Sequence, residues 1–254
     1  MDDTTTMILI ATVAAIAGFA HSAIGFGFGI VSLSLLPLIV DVRQSHIVVS
    51  TASVPVILMA AWSFRHGLNW RDIRPAVIGA IVFLPIGLML FELMPMGWLV
   101  RVTGLAILLM VLMNYRNRHR KTGCDTDGPG IVPADAATTW PCFIAGGLGG
   151  FLAGAVSIAG PPMAAFGLKQ GWPAERFKAF MNFYLLVVAM YKVGGMVVRN
   201  LIDREALIQA CWLAPAAVVG IVVGAKASRH FSNRWTEALV TTSLLAIAVY
   251  FIVG

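Results

Sequence analysis

Long apolar stretches separated by short polar ones run through the whole chain. A helix needs about 20 mostly apolar residues to cross the hydrocarbon core of a bilayer. Six runs meet that requirement, near 46–66, 73–94, 98–115, 177–198, 204–224 and 235–253. Two further runs do not fit a simple crossing. Residues 7–40 make a run of 34 interrupted by Gly25, Gly27 and Gly29, and the run 141–170 is interrupted by Ser157-Ile158-Ala159-Gly160-Pro161-Pro162. Each is either one kinked pass or a hairpin that enters and leaves on the same side.

The basic residues choose between these, because cytoplasmic loops of membrane proteins carry excess Lys and Arg. Two kinked passes divide the eighteen basic residues ten to eight, which is no bias. Two hairpins divide them thirteen to five, with Arg65, Arg71, Arg74, Arg116, Arg118, Arg120, Lys121, Lys169, Arg176, Lys178, Lys226, Arg229 and Arg234 on one side. The hairpin reading puts both termini outside the cytoplasm.

The chain also repeats. At an offset of 132, Gly18-Phe19 falls on Gly150-Phe151, and the ladder Ala14, Gly18, Ser22 falls on Gly146, Gly150, Gly154. Small residues every fourth position let helices approach closely in lipid, where packing drives association. Trp98 falls on Trp235 at offset 137. With an odd number of spans after each hairpin, the halves are expected to be inverted. The expected fold is an all-α polytopic membrane protein of two inverted repeats, each a broken helical hairpin followed by three transmembrane helices. The first repeat is 1–115, a cytoplasmic linker is 116–139, and the second repeat is 140–254. The linker is polar, basic at its start and contains Gly and Pro. Inverted repeats with broken helices are a transporter architecture that holds substrate near the midplane. Six of the seven tryptophans (62, 70, 98, 140, 172 and 235) lie near span ends, where interfacial anchoring accounts for them.

Composition agrees and narrows the classes. Of 254 residues, 59% are hydrophobic and 12% charged, with a mean hydropathy of +0.85. Soluble domains carry about a quarter charged residues, so soluble enzymes, nucleic-acid modules and disordered proteins are excluded. The net charge of +6 sits in short inter-span segments, and it reflects topology rather than a nucleic-acid partner. Cys124, Cys142 and Cys211 are widely spaced without a CxxC, so neither a disulfide framework nor a metal site is expected, and no cofactor is. The start, MDDTTTM, lacks the basic n-region of a signal peptide, so the first apolar run is expected to stay in a multi-pass protein of the cell membrane.

The candidate chemistry lies at the two breaks. In Gly25-Phe26-Gly27-Phe28-Gly29, preceded by His21 and Ser22, alternating glycines are costly for an ordinary helix. Non-helical backbone at membrane depth is tolerated where it is buried in protein or lines a wet cavity. A helix restarting near Ile30 would present unpaired N–H groups, which favour an anion. Ser157 and Gly160-Pro161-Pro162 are the matching break, with proline suited to the first turn of a new helix. Two such termini would form a positive cradle; the competing reading is that the glycines only permit tight packing. All twelve acidic residues lie in loops or at span ends, which suits an anionic substrate and not a cation pump. His21, a residue type that titrates near neutrality, is a proton-coupling candidate or else a packed, hydrogen-bonded histidine. Ser50, Thr51 and Ser53 match Asn182 and Tyr184 at the repeat offset, either to bind oxyanion oxygens or as interhelical glue. Lys192 is an electrostatic candidate, although snorkelling to the outer interface is the commoner fate of such a lysine. Arg65, His66 and Lys178 would flank the cytoplasmic mouth and concentrate anions, or simply follow positive-inside topology.

The run Gly18 to Leu38, GFAHSAIGFGFGIVSLSLLPL, resembles the first signature of the TauE/SafE sulfite-exporter family (TSUP). GGLGGFLAGAVSIAGPPM, residues 146–163, resembles its second signature, and RHGLNWRDI, 65–73, also fits. Ser157 and Ala159 depart from a common glycine-rich form of the second signature. The resemblance implies transport of a small anion such as sulfite or an organosulfonate by a secondary transporter, with proton or sodium coupling and the oligomeric state left open. The competing classes are an anion channel, a transporter of a small non-sulfur carboxylate, and an intramembrane enzyme. The last lacks any nucleophile–base or metal motif in the sequence.

Overall fold

The computed structural model describes residues 3–24, 27–65, 68–95, 97–99, 101–102, 105, 108, 139–170, 172 and 174–227. Among these the chain is helical, with no strand: α1 (Asp3–Ile24), α2 (Phe28–Leu35), α3 (Val42–Ser63), α4 (Trp70–Leu93), α5 (Thr139–Val156), α6 (Gly160–Lys169), α7 (Ala174–Val198) and α8 (Arg204–Ala227). Six of them, α1, α3, α4, α5, α7 and α8, are long and apolar enough to cross a membrane. Their outer surfaces are oily: Ile78, Ile81, Val82, Ile86 and Met89 on α4 and Trp212, Val219 and Val223 on α8 are exposed. Apolar surface on that scale belongs against lipid, and the protein is a multi-pass membrane protein. The linker 116–138, the span expected at 235–253 and most of that at 98–115 lie outside the described residues.

Helix starts follow local chemistry. The Asp41 carboxylate accepts from the Arg43 and Gln44 amides and caps α3, and the Asn69 side chain accepts from the Arg71 amide and caps α4. Such caps satisfy donors that a helix cannot satisfy itself.

Long-range contacts fix the direction of every spanning helix. Asp72 in the first turn of α4 pairs with Arg176 in the first turn of α7, and Cys142 near the start of α5 donates to the Asp72 carbonyl at 3.4 Å. Helices α4, α5 and α7 therefore all begin at one face, the Asp72 face. At the opposite end Arg199 just past α7 pairs with Glu92 in the last turn of α4. Arg43 at the start of α3 donates there to the Glu92 and Met94 carbonyls, at 3.4 and 2.8 Å. This is the Glu92 face, and α8 begins there, five residues after α7 ends. Helix α1 runs parallel to α8, with Gly220 against Ala15 and Gly224 against Phe19. Both breaks accordingly turn back. Helix α5 leaves the Asp72 face and α7 starts from it again; α1 leaves the Glu92 face and α3 starts from it again.

Packing divides these helices into two bundles. One holds α1, α2, α3 and α8; the other holds α4, α5, α6 and α7. Among the described residues, α3 against α7 is the main helix-on-helix contact between them. The tightest pairs are α4 on α5 and α1 on α8, and both rest on the small-residue ladders. Gly146, Gly150 and Gly154 lie on the backbone of Ala76, Ala80 and Leu84, and Gly18 lies on the backbone of Ala217. A side chain at Gly150 would occupy the space of the Ala80 main chain, which cannot swing aside as a side chain could. Gly150→Leu is expected to destabilise the purified protein by more than about 1–3 kcal/mol, read as a lower Tm in detergent. Gly194→Ala, in a helix with nothing within 4 Å of the added methyl, should leave the Tm unchanged or raise it.

Candidate functional site

The two hairpin tips meet between the central parts of α3 and α7 and enclose a cavity. It is lined from α1 and α2 by His21, Gly27, Phe28, Gly29 and Ile30, and from the α5–α6 tip by Ala153, Ser157, Ile158, Ala159 and Gly160. Helix α3 adds Val49, Ser50, Ser53 and Ile57, and α7 adds Leu185, Val188, Ala189 and Lys192. About 70 Å³ of the interior is open to the centres of water-sized molecules, where one water needs about 10–15 Å³. The space suits a few waters or a small anion.

The first tip is held by His21, which is buried. Its Nδ1 accepts from the amides of Gly27 and Phe28, at 3.4 Å each, so its proton is on Nε2, which donates to Asn182 Oδ1 at 3.2 Å. The Asn182 amide nitrogen donates in turn to the Lys178 carbonyl at 2.8 Å. Helix α2 thus restarts at Phe28 rather than near Ile30, because the imidazole supplies the acceptor that its first amides need. Gly29 and Ile30, in the first turn of α2, line the cavity. Gly25 and Phe26 lie outside the described residues.

The second tip is held by Lys192 and Ser157. Ser157 ends α5 with φ 57°, in the left-handed region that a serine rarely adopts. Its hydroxyl oxygen accepts a hydrogen bond from Lys192 Nζ and lies 3.1 Å from His46 Nδ1 and 3.2 Å from Ser50 Oγ. Ser50 has already committed its one proton to the His46 carbonyl at 2.6 Å, so Ser157 must be the donor to Ser50 and His46 Nδ1 the donor to Ser157. The Ser157 hydroxyl is then saturated. Lys192 Nζ also donates to the Ala153 carbonyl at 2.7 Å and lies 5.7 Å from the centre of the Phe91 ring. It does not snorkel: the residue is 3% exposed. An ammonium has three protons; two are placed, and the third is available to the cavity. Among the described residues no carboxylate pairs with it.

Several candidates from the sequence are placed elsewhere. Pro161 and Pro162 form the first turn of α6 but do not line the cavity, and, lacking N–H groups, they leave that terminus with few donors. Ser22 bonds to the Phe19 carbonyl against Gly224, Thr51 bonds back to the Ile47 carbonyl, and Tyr184 donates to the Gly146 carbonyl at 2.7 Å. Ser22 and Thr51 thus spend their protons within their own helices, and Tyr184 ties α7 to α5. Asn182 stands behind His21 rather than in the wall. Ser53 lines the cavity with its proton on the Ser50 carbonyl. Arg65 is exposed on the Trp62 ring and Lys178 lies over Phe64 at the end of α3; His66 is outside the described residues. His46 was missed from sequence. Its position four residues before Ser50, on the same helical face, is the signal that would have found it. Among the described residues no cluster of potential ligands could hold a metal ion.

The site separates binding from scaffolding. Tyr184→Phe is expected to cost about 1 kcal/mol of stability and Thr51→Val less. Both should leave the affinity for a bound anion unchanged, as isothermal titration of the purified variants would read.

The family model for Sulfite exporter TauE/SafE matches residues 10–251, nearly the whole chain. No curated protein and no solved structure matches.

Proposed function

The chain belongs to the TauE/SafE sulfite-exporter family, a family of membrane transporters, and on that premise we propose that it moves a small anion, sulfite or an organosulfonate, across the cell membrane by alternating access. The observation that carries the reading is Lys192: a buried lysine with no carboxylate partner among the described residues, in the wall of a cavity between two helix breaks. An ionisable group inside a membrane protein is costly unless it serves a pathway or a ligand. Part of its charge is balanced by the C-terminal end of α5, whose Ala153 carbonyl it caps. An anion balances the rest.

The anion would take the third Lys192 proton and the amides of Gly29 and Ile30 at the start of α2, with Gly160 at the start of α6. The hydroxyls of Ser50, Ser53 and Ser157 would join only after giving up their present acceptors. Phe28, Ile30, Val49, Ile57, Leu185 and Val188 line the remainder and keep the charge–charge contact out of bulk water, where it would be worth less. Among the described residues no acidic side chain lines the cavity to repel the substrate.

The halves 1–115 and 140–254 would be inverted repeats joined by a cytoplasmic linker. The opposed running of α1 and α5, α3 and α7, and α4 and α8 supports this, as does the equivalence of Gly18 on Ala217 with Gly150 on Ala80. Each repeat then lends its α4-type helix to the other bundle. The moving bodies would be the two bundles, rocking about α3 and α7. The pairs Asp72–Arg176 and Glu92–Arg199 both join α4 to α7 inside one bundle; they stiffen it and need not break. Arg65, Arg71, Arg74, Arg176 and Lys178 assign the Asp72 face to the cytoplasm by the positive-inside rule.

The test is flux into proteoliposomes and ligand-dependent thermal shift of the purified protein. Sulfite or a small organosulfonate should raise Tm with concentration and show saturable, counter-transport-sensitive uptake. Imposed proton and sodium gradients identify the coupling ion. Lys192→Met should weaken anion binding roughly ten- to a hundredfold, the loss of a charge-assisted hydrogen bond, while Lys192→Arg retains part of it. Stabilisation by non-sulfur carboxylates alone would overturn the sulfur assignment, and ohmic current would make the protein a channel.

A further inference from the structure

We propose that two sets of hydrogen bonds across the bundle interface, His21 to Asn182 at one end of the cavity and His46 and Ser50 to Ser157 at the other, are opposing latches, each of which closes the cavity toward one face. The proposal rests on the alternating-access reading above and names the contacts that must break in each half of the cycle.

The two bundles contribute different residues to each latch. His21 is on α1 and Asn182 on α7; His46 and Ser50 are on α3 and Ser157 is at the α5–α6 tip. Each bond therefore ties one bundle to the other, unlike the Asp72–Arg176, Glu92–Arg199, Tyr184–Gly146 and Lys192–Ala153 contacts, which stay within one.

Their depths differ as opposing gates require. Helix α7 starts at the Asp72 face, and Asn182 comes about ten residues, or 15 Å along the helix, before Lys192. His21 and Asn182 thus lie on the Asp72 side of the cavity. Helix α3 starts at the Glu92 face, so His46 and Ser50, in its first turns, lie with Ser157 and Lys192 on the other side. Ser53, Ile57, Leu185, Val188 and Ala189 line the space between. Arg43 reinforces the second latch by crossing from α3 to the Glu92 and Met94 carbonyls of the other bundle.

The hydrogen inventory makes the latches unequal. The Asp72-side latch is one neutral histidine whose Nδ1 also holds the Gly27 and Phe28 amides, so losing it frees the α2 start as well as the bundle contact. The Glu92-side latch shares Ser157 with Lys192. An anion that draws the ammonium away from Ser157 removes one of the three bonds that fix the Ser157 hydroxyl, which links occupancy to the latch through the position of Ser157. Both sets of bonds are formed in this structure.

The experiment places Ala189→Cys, in the cavity wall, in a protein whose Cys124, Cys142 and Cys211 are replaced by alanine. A membrane-impermeant thiol reagent is applied from either side of sealed vesicles, and Arg71→Cys, exposed in the first turn of α4, marks the Asp72 side. The unmodified latches should give slow labelling from both sides. His21→Leu and, independently, Asn182→Ala should speed labelling at least tenfold from the Asp72 side alone. His46→Phe with Ser50→Ala should do so from the Glu92 side alone. His21→Gln, whose amide can both accept and donate, should return labelling toward the slow rate, which a purely structural histidine would not require. Variants that label unchanged, equally from both sides, or from the opposite side overturn the latches. A starting protein that labels rapidly from both sides at once instead overturns alternating access itself. Monodisperse elution and an intact melt qualify each variant, and Asn182→Ala stands in if His21→Leu does not fold.

Discussion

In hydrocarbon there is no water to satisfy a broken backbone, so every amide and carbonyl released by a helix break must find a partner within the protein. This chain breaks its helices twice at membrane depth, and most of its buried polar chemistry answers that requirement. The first break is satisfied by His21, which accepts from the Gly27 and Phe28 amides. The second is satisfied by Lys192 and Ser157, which cover the end of α5. The residues that make the breaks tolerable also make the cavity between them polar. At the two tips, the contacts that satisfy the backbone also line the cavity.

Two consequences follow for function. A lysine used as a helix cap still has a proton and most of a charge left over, and it lies where an anion can complete its coordination. In the proposed binding mode the dipole of α5 favours the lysine, the lysine would favour the anion, and the start of α2 would favour it again. Binding therefore needs no arginine clamp, and the low charge content of the chain is compatible with an ionic substrate. The bonds that finish each tip reach across to the other bundle, so movement of the bundles and exposure of the broken backbone are coupled. A tip cannot be left unsatisfied in lipid, but it can be satisfied by water or substrate once the cavity opens. In the proposed cycle that exchange would let neutral hydrogen bonds of modest strength serve as gates.

Much of this was legible in the sequence. The two broken runs, the ladders at Gly18 and at Gly146, Gly150 and Gly154, and the absence of mid-membrane acids were all visible as local patterns. The ladders lie where close approach requires them. The individual site residues were less legible. Thr51 and Ser22 have the right chemistry but spend it on nearby carbonyls, because a hydroxyl in a helix usually finds its own backbone first, and Tyr184 spends its proton on the Gly146 carbonyl of α5. Lys192 was expected to snorkel because a lone lysine in a span usually does so; the second lone pair of the Ala153 carbonyl, whose first accepts from the Ser157 amide, gave it an inward partner. His46 escaped notice because it stands at the margin of an apolar run, where a polar residue needs no explanation.

The sequence by itself determined that the protein lies in a bilayer, how many long apolar segments it has, where two of them break, and which family it belongs to. Each of these is written in composition or spacing over a few dozen residues, and a bilayer imposes length and polarity strongly enough for such local signals to suffice. Only the tertiary structure decided which polar groups meet. His21 with Asn182, and His46 with Ser157, join positions 161 and 111 residues apart. It also decided that α4 and α8 pack in the bundle of the opposite half. Those pairings depend on how helices lie against one another, and no periodicity along a single segment carries that information. The site belongs to that second category, which is why its residues could be proposed from the sequence but not assembled from it.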